Sequence, residues 1–478
     1  MKHTIWFLLA TALAAGCAST ATVPAEPYPT APPSLGPAPS FEMADPIERT
    51  LSNGLTVLYL SRGELPLVQA VLVTRAGAMD DPADLTGLAA FTADMLDEGA
   101  GGRDALELAA AIEQLGATLG VGAGWDASQI SLQVLRDELP EALAIMADVV
   151  MRPDFPEAEL TRVRDERLTE LASARDDAAT IAGNAFASLV YGSDHPYGRL
   201  STQESARRFD RQTLRDFHSR YYRPGTSTLV LVGAIDSSMH PQVERIFGNW
   251  PATGSVTTSS VPAPPETAST RIFLVDKPGA AQSEIRIGHP GVARDTPDYY
   301  ALQVLNTLLG GSFTSRLNQN LRETHGYTYG AGSGFGMRLG EGPFSASAAV
   351  VTAKTDSSVI EFFRELNRIR DEVVPADELE RAKQYVALRL PQQMETTGQV
   401  AARLADLVTY DLPLDYYGDY VQRVMAVTAA DVQRVARRYV RPGRSVVVVV
   451  GDRQQIEPGL RALPIGTVEI RDVEEFVR

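Results

Sequence analysis

The sequence predicts an α+β protein made of two tandem homologous units, each a mainly antiparallel sheet with helices packed on one face. Three observations predict it. The stretch RPGTSTLVLVG at 223–233 returns as RPGRSVVVVVG at 441–451, a displacement of 441 − 223 = 218, with seven of eleven positions identical. PEAELTRVRDE from Pro156 matches PADELERAKQY from Pro375 at nearly the same displacement, 375 − 156 = 219. Within the first copy, strand-like and helix-like segments come in blocks with hairpins among them, the order of an α+β rather than an alternating α/β chain.

The elements follow in order. NGLTVLYLS at 53–61 and PLVQAVLVTRAG at 66–77 read as paired strands after an Asn53-Gly54 turn. Helical periodicity then runs over 86–98, 104–115, 137–150 and 156–173. Each RPG copy follows a basic-aromatic helix end, FHSRYY at 217–222 and VARRYV at 435–440, and then enters a buried strand. Between the copies, PATGSVTTSSVPAPPETAST at 251–270 carries one charge, Glu266, and reads as an extended linker. The units are therefore placed at 46–250 and 271–465.

The start of the chain is not part of either unit. A short basic segment, MKH, precedes the apolar run TIWFLLATALAA and small residues, the pattern of a secretory signal over 1–17. The run closes on LAAGC, which resembles a bacterial lipobox and implies cleavage before Cys17, the only cysteine, and lipidation of its sulfur. Ala18 in the next position implies sorting to the periplasmic side of the outer membrane. Residues 18–45 are rich in proline and read as a tether that, at ~3.1 Å per residue, reaches up to ~85 Å from the lipid.

Composition bounds the function. With 478 residues, 44% hydrophobic and 22% charged, the chain has globular composition and room for more than one core. A net charge of −16 argues against nucleic acid as a partner, because phosphate binding needs clustered Lys and Arg. LLGGS at 308–312 lacks a following Gly-Lys-Ser/Thr and reads as a helix end and turn, not a phosphate loop.

The informative stretch is GLAAFTADMLDEGA at 87–100. Leu85, Leu88, Phe91, Thr92, Met95 and Leu96 gather on one side of a helical wheel as a core stripe. Ala90, Ala93, Asp94 and Asp97 gather on the other. Two alanines beside an acid are unusual on a face that is neither apolar enough for a core nor richly charged.

This stretch resembles the metal-binding helix of the insulinase (pitrilysin) family of inverzincin peptidases. The resemblance extends through HPYG at 195–198, LGGSFTSRLNQNLRE at 309–323 and both RPG segments. It implies two domains facing each other as a clamshell around a chamber that binds unfolded peptides. Active members carry His-x-x-Glu-His here, two zinc ligands one turn apart and a glutamate that deprotonates the bound water. Those positions are Ala90, Ala93 and Asp94 in this chain, and Glu170 stands where the family's third ligand is expected. The resemblance therefore implies no zinc cofactor in this chain: two oxygen ligands remain, and the methyl of Ala93 accepts no proton. Without partners, Glu170 reads as a solvated helix acid. His195 reads as a turn residue, since no two of the six histidines share a helical turn.

The second unit keeps a different feature. LRETHGYTYGAGSGF at 321–335 resembles the family segment that holds an Arg and a Tyr seven positions apart, here Arg322 and Tyr329. In the family this pair reaches toward substrate at the zinc of the opposite domain; the bland alternative is a surface arginine and a tyrosine packed on a sheet with Tyr327. Three function classes follow. One is the zinc-less subunit of a two-chain metallopeptidase, with a homologous zinc-bearing chain as partner and unfolded peptides as substrate. The second is a catalytically silent peptide-binding or scaffold lipoprotein at the outer membrane. The third is a hydrolase rebuilt around Asp94 and Glu170, which the absent base disfavours.

Overall fold

A computed structural model describes residues 43–252 and 260–478. The signal-like segment, Cys17 and nearly all of the proline-rich tether lie outside the described residues. Six strands form the first sheet: β1 (Ile47–Thr50), β2 (Thr56–Ser61), β3 (Leu67–Thr74), β4 (Thr118–Ala123), β5 (Ser128–Leu135) and β6 (Ser227–Gly233). The second is built from β7 (Arg271–Asp276), β8 (Gln282–Val292), β9 (Thr328–Phe335), β10 (Gly342–Val351), β11 (Val446–Gly451) and β12 (Thr467–Arg471). Their orders, β1-β2-β6-β3-β5-β4 and β12-β7-β11-β8-β10-β9, correspond strand for strand. The duplication read from the sequence is thus a duplication of topology. One edge differs: β1 runs antiparallel to β2, whereas β12 runs parallel to β7.

The principal helices are α1 (Leu88–Asp94), α2 (Ala105–Gln114), α3 (Leu139–Met151), α4 (Glu157–Ser173), α5 (Ala178–Tyr191) and α6 (Arg211–Tyr221) in the first half. In the second they are α7 (Tyr299–Leu309), α8 (Thr355–Asp371), α9 (Ala376–Gln392), α10 (Thr397–Thr409) and α11 (Ala429–Tyr439). The helix expected over 86–98 is shorter, because Gly87 starts it in a left-handed conformation and the chain turns at Met95.

Two expectations are corrected. The strands 53–61 and 66–77 share a sheet but do not pair, since β6 lies between them, parallel to β2 and antiparallel to β3. The reason is burial: β6 and its counterpart β11 are apolar on both sides, so they take the centre of their sheets. The Asn53-Gly54 turn instead joins β1 to β2, with Gly54 at φ +92. Nor do helices cover only one face of each sheet. Helix α5 of the first half packs on β8 and β11 of the second, and α10 of the second packs on β3 and β6 of the first. These helices begin at Ala178 and Thr397, at the displacement of the repeat itself, so the exchange is the repeat acting reciprocally.

This exchange joins the halves. Leu58, Leu60, Val71, Val73, Val230 and Val232 of the first sheet share one apolar core with Val400, Ala401 and Leu404 of α10. Ile181, Ala182 and Ala185 of α5 pack with Val446, Val448 and Val450 of β11. At ~25 cal/mol per Å² of apolar surface, burial on this scale fixes the two halves to each other. The C-terminal residues reinforce it, with Phe476 and Val477 buried, the Phe476 carbonyl accepting from Asn184 at 2.9 Å and Arg175 pairing with Glu474 at 2.8 Å.

Candidate functional site

The core stripe of α1 is buried as its spacing requires, with Leu88, Phe91, Thr92, Met95 and Leu96 all inside and Phe91 against Phe209 at a ring separation of 4.9 Å. Asp81 starts the helix: its Oδ2 accepts from the Gly87 amide at 2.6 Å and its Oδ1 from the Ala89 amide at 2.8 Å. These amides belong to the turn that a helix leaves unsatisfied. On the opposite face Ala93 is fully buried, while Ala90 and Asp94 are half-buried. That face is packed at Ala93 and partly open on either side of it.

Facing it is Arg167 of α4, a residue the sequence reading passed over. Its Nη2 lies 2.5 Å from Asp94 Oδ2, and its Nη1 lies 3.5 Å from Oε2 of Glu170, one turn along the same helix. One guanidinium therefore joins the two acids. Burial raises the Asp94 carboxyl above the ordinary carboxylate range, and Arg167 opposes that rise. A second pair, Arg162 to Glu98 at 2.5 Å, ties the same two segments. Glu170 is well exposed but not alone.

In the second half, the chain leaves regular geometry twice in close succession. Gln319–Thr324 forms a π-helical turn, and Arg322 lies in it with its guanidinium 4.5 Å from the ring of Phe313 and 3.4 Å from Glu323. Strand β9 then slips register against β10 between Thr328 and Ala331, a bulge that contains Tyr329. Both irregularities are devices that re-aim a side chain, and both concentrate at functional positions. They are held firmly. Asn320 donates to Glu361 and Glu365 of α8, each at 2.9 Å, and Asn318 donates to the Phe313 carbonyl at 2.7 Å while accepting from the Ala331 amide at 3.2 Å. Gly310, the turn at the end of α7, lets that helix end approach the strand, since a Cβ there would collide with the Ser333 nitrogen.

The outcome is a displayed surface. Tyr329 is 92% exposed and Phe313 62%, while Tyr327 packs inward, stacked on His325. The Tyr329 hydroxyl makes no hydrogen bond with the described residues. Tyr329 is therefore not the sheet-packed tyrosine of the bland reading, and neither Arg322 nor Tyr329 lines the clefts of about 780 and 490 Å³ between the halves.

The chain matches the insulinase (peptidase family M16) model over residues 56–194 and the peptidase M16 inactive domain model over 208–386. It is 30% identical over 316 residues to an uncharacterized zinc protease of Mycobacterium leprae, covering 64% of this chain and 69% of that one. The chain belongs to the insulinase family. A similar protein of Rickettsia bellii, also described as an uncharacterized zinc protease, is 25% identical over 81% of this chain and 93% of its own. The crystal structure of a peptidase M16 inactive domain from Pseudomonas fluorescens superimposes with a TM-score of 0.81 at 26% identity, covering 86% of this chain and 98% of the other.

Family membership implies zinc, and the residues present do not fit it. Ala90 and Ala93 offer methyl groups where the insulinase motif has a ligand and a base, and the Asp94 carboxylate is engaged by a cation. Among the described residues no group of three or more His, Cys, Asp or Glu side chains converges to hold a metal ion. His195 is accounted for by the turn: its Nδ1 accepts from the Tyr197 amide at 3.1 Å, so its Nε2 is the donor to the Pro262 carbonyl at 3.0 Å. Arg167 had one signal in the sequence, its place three residues before Glu170 on a helix, which puts both on one face.

Proposed function

We infer that this insulinase-family chain is the zinc-less subunit of a heteromeric metallopeptidase, one that supplies Arg322 and Tyr329 to a homologous zinc-bearing chain cleaving unfolded peptides. The observation that carries the reading is Tyr329, almost wholly exposed on a bulge, its hydroxyl without a hydrogen-bond partner among the described residues. A scaffold would leave this arrangement without a purpose. A guanidinium and a phenol suit a peptide carbonyl whose oxygen gains negative charge, because both donate hydrogen bonds and neither needs to change protonation. The partner's metal supplies the hydrolytic chemistry; this chain binds and orients. The tight joining of the two halves supports a separate partner, since the first half of the same chain is held where it is by α5 and α10. A lipid on Cys17 would place the complex at the periplasmic face of the outer membrane.

The test is to purify this chain and a His-x-x-Glu-His sister separately and together. Neither alone should degrade an unfolded peptide at the rate of the equimolar mixture, and in cells Cys17→Ser should release both chains from the membrane fraction. A sister chain with full activity alone, unaltered by adding this one, would overturn the reading.

A further inference from the structure

The cleft beside the altered metal position is lined by an unusual number of arginines. It has a volume of about 490 Å³ and lies between α4 and α5 of the first half and strands β8 and β10 of the second. Four guanidinium groups line it: Arg167, Arg199, Arg286 and Arg338. Arg167 is already committed to Asp94 and Glu170. Among the described residues the other three form no ion pair within the 4 Å reach of a salt bridge.

Each of the three is short of acceptors. Arg199 donates to two backbone carbonyls, those of Asp81 at 3.2 Å and Asp194 at 3.1 Å, and the Asp81 carboxylate, itself bound to the Gly87 and Ala89 amides, feels its charge without pairing with it. The Arg338 side chain makes no hydrogen bond with the described residues; it is held between the rings of Trp125 at 4.0 Å and Tyr197 at 4.4 Å. Its neighbour Asp126 attracts it without a hydrogen bond, accepting instead from the Tyr197 hydroxyl at 2.9 Å and the Leu339 amide at 3.2 Å. Arg286 stands on β8 opposite Gly183 of α5, with Glu284, two residues along the strand, as the acid that feels it. Arg199 Nε, Arg286 Nε and Arg338 Nη1 are buried without a hydrogen-bond partner. Each of these half-buried arginines thus keeps one buried N–H unpaired, a cost that an anion in the cleft would relieve.

We propose that this cleft binds a carboxylate of an extended peptide, the guanidinium forks gripping its two oxygens while Trp125 and Tyr191 line the wall beside them. A planar carboxylate accepts from two forks at once. The overall charge of −16 opposes any anion, but that field is screened beyond ~8 Å at physiological salt, so the local arginines decide. The site does not depend on a partner chain or on catalysis.

Binding is measured by fluorescence anisotropy on the full chain, with three labelled decapeptides. One is acidic with an amidated C-terminus, one neutral with a free C-terminus, and one neutral and amidated. The first or second should bind more tightly than the third, identifying a side-chain or terminal carboxylate respectively, with affinity falling as salt rises. Arg286→Gln should weaken that binding by roughly 10- to 100-fold, whereas Arg220→Gln, outside the cleft, should not. Arg338→Gln should do the same as Arg286→Gln; if its removal from between two rings unfolds the chain, Arg286→Gln decides alone. Equal binding of all three peptides, an unaffected Arg286→Gln protein, or displacement of the peptide by an equal concentration of inorganic phosphate would overturn the proposal.

Discussion

The two halves share a strand order and treat their inherited polar positions in opposite ways. In the first half the altered metal position is taken up from within: Ala93 is buried, and Arg167 pairs with both Asp94 and Glu170. In the second half Arg322 and Tyr329 stand on a π turn and a β bulge, and the tyrosine is turned out to solvent. A π turn and a β bulge each interrupt a regular hydrogen-bond ladder locally. A position that has lost its chemistry is free to relax into ordinary packing and ion pairing, as α1 and α4 have done. The second half instead anchors its irregular segment through Asn318 and Asn320 and leaves Tyr329 exposed, the arrangement on which the proposed partner contact rests.

The largest expected effect comes from making the first half resemble an active relative. Ala90→His with Asp94→His restores two imidazoles one turn apart, and Glu170 completes three ligands. With Arg167 in place its charge still occupies the site, so the double variant should hold little zinc. Adding Arg167→Ala should bring the chain to one zinc with at least micromolar affinity, a standard binding free energy of about −8 kcal/mol. Elemental analysis after dialysis against a weak chelator reads the outcome. Stoichiometric zinc in the double variant would show that Arg167 does not guard the position.

The second effect sharpens the other side of the comparison. In a functional complex with a zinc-bearing chain, Tyr329→Phe should lower turnover by roughly 10²- to 10³-fold, the usual consequence of deleting one donor to a developing oxyanion. Arg322→Lys keeps the charge but loses the planar fork and should be defective as well. Because Tyr329 is 92% exposed, its removal should change stability by no more than about 0.5 kcal/mol. Unchanged turnover in both variants would reduce the pair to surface residues.

What was legible in the sequence follows from this contrast. The repeat could be read because a strand buried on both sides tolerates little but valine and leucine, so β6 and β11 still look alike. The altered metal position could be read because one helical wheel exposes an unusual face and the resemblance to the insulinase family says what that face once held. Arg167 could not, since it meets Asp94 from a different helix, across a long loop closure that no local pattern encodes. The exchange of α5 and α10 was equally hidden: an amphipathic helix declares a buried face but not whose sheet will bury it. The pairing of β2 with β3 was misread for the same reason, because β6 arrives between them from the far end of the first half. Arg322 and Tyr329 were found by resemblance; the π turn and the bulge that display them depend on anchors such as Asn320 to Glu361, which arise only in the folded chain.

The smallest effect tests whether Arg167 is a replacement cation or an incidental neighbour. The side chains of Arg167 and Asp94 are 30% and 37% exposed, so water screens their attraction, and the pair should contribute no more than about 1 kcal/mol. Arg167→Ala should therefore lower the unfolding temperature only slightly at neutral pH. Its dependence on pH is the informative part. Burial places the Asp94 carboxyl above the ordinary carboxylate range even with Arg167 beside it, so the favourable pairing is present while Asp94 is ionised and is lost as the pH falls through that raised value. Below it, wild type and variant both carry a neutral Asp94 and should unfold alike. Thermal melts of the two proteins across the acidic range should converge as the pH falls, starting above the pH at which an exposed aspartate titrates. A gap that stays constant with pH would assign the role of Arg167 to the packing of its aliphatic stem, and the filling of the altered metal position would then owe nothing to charge.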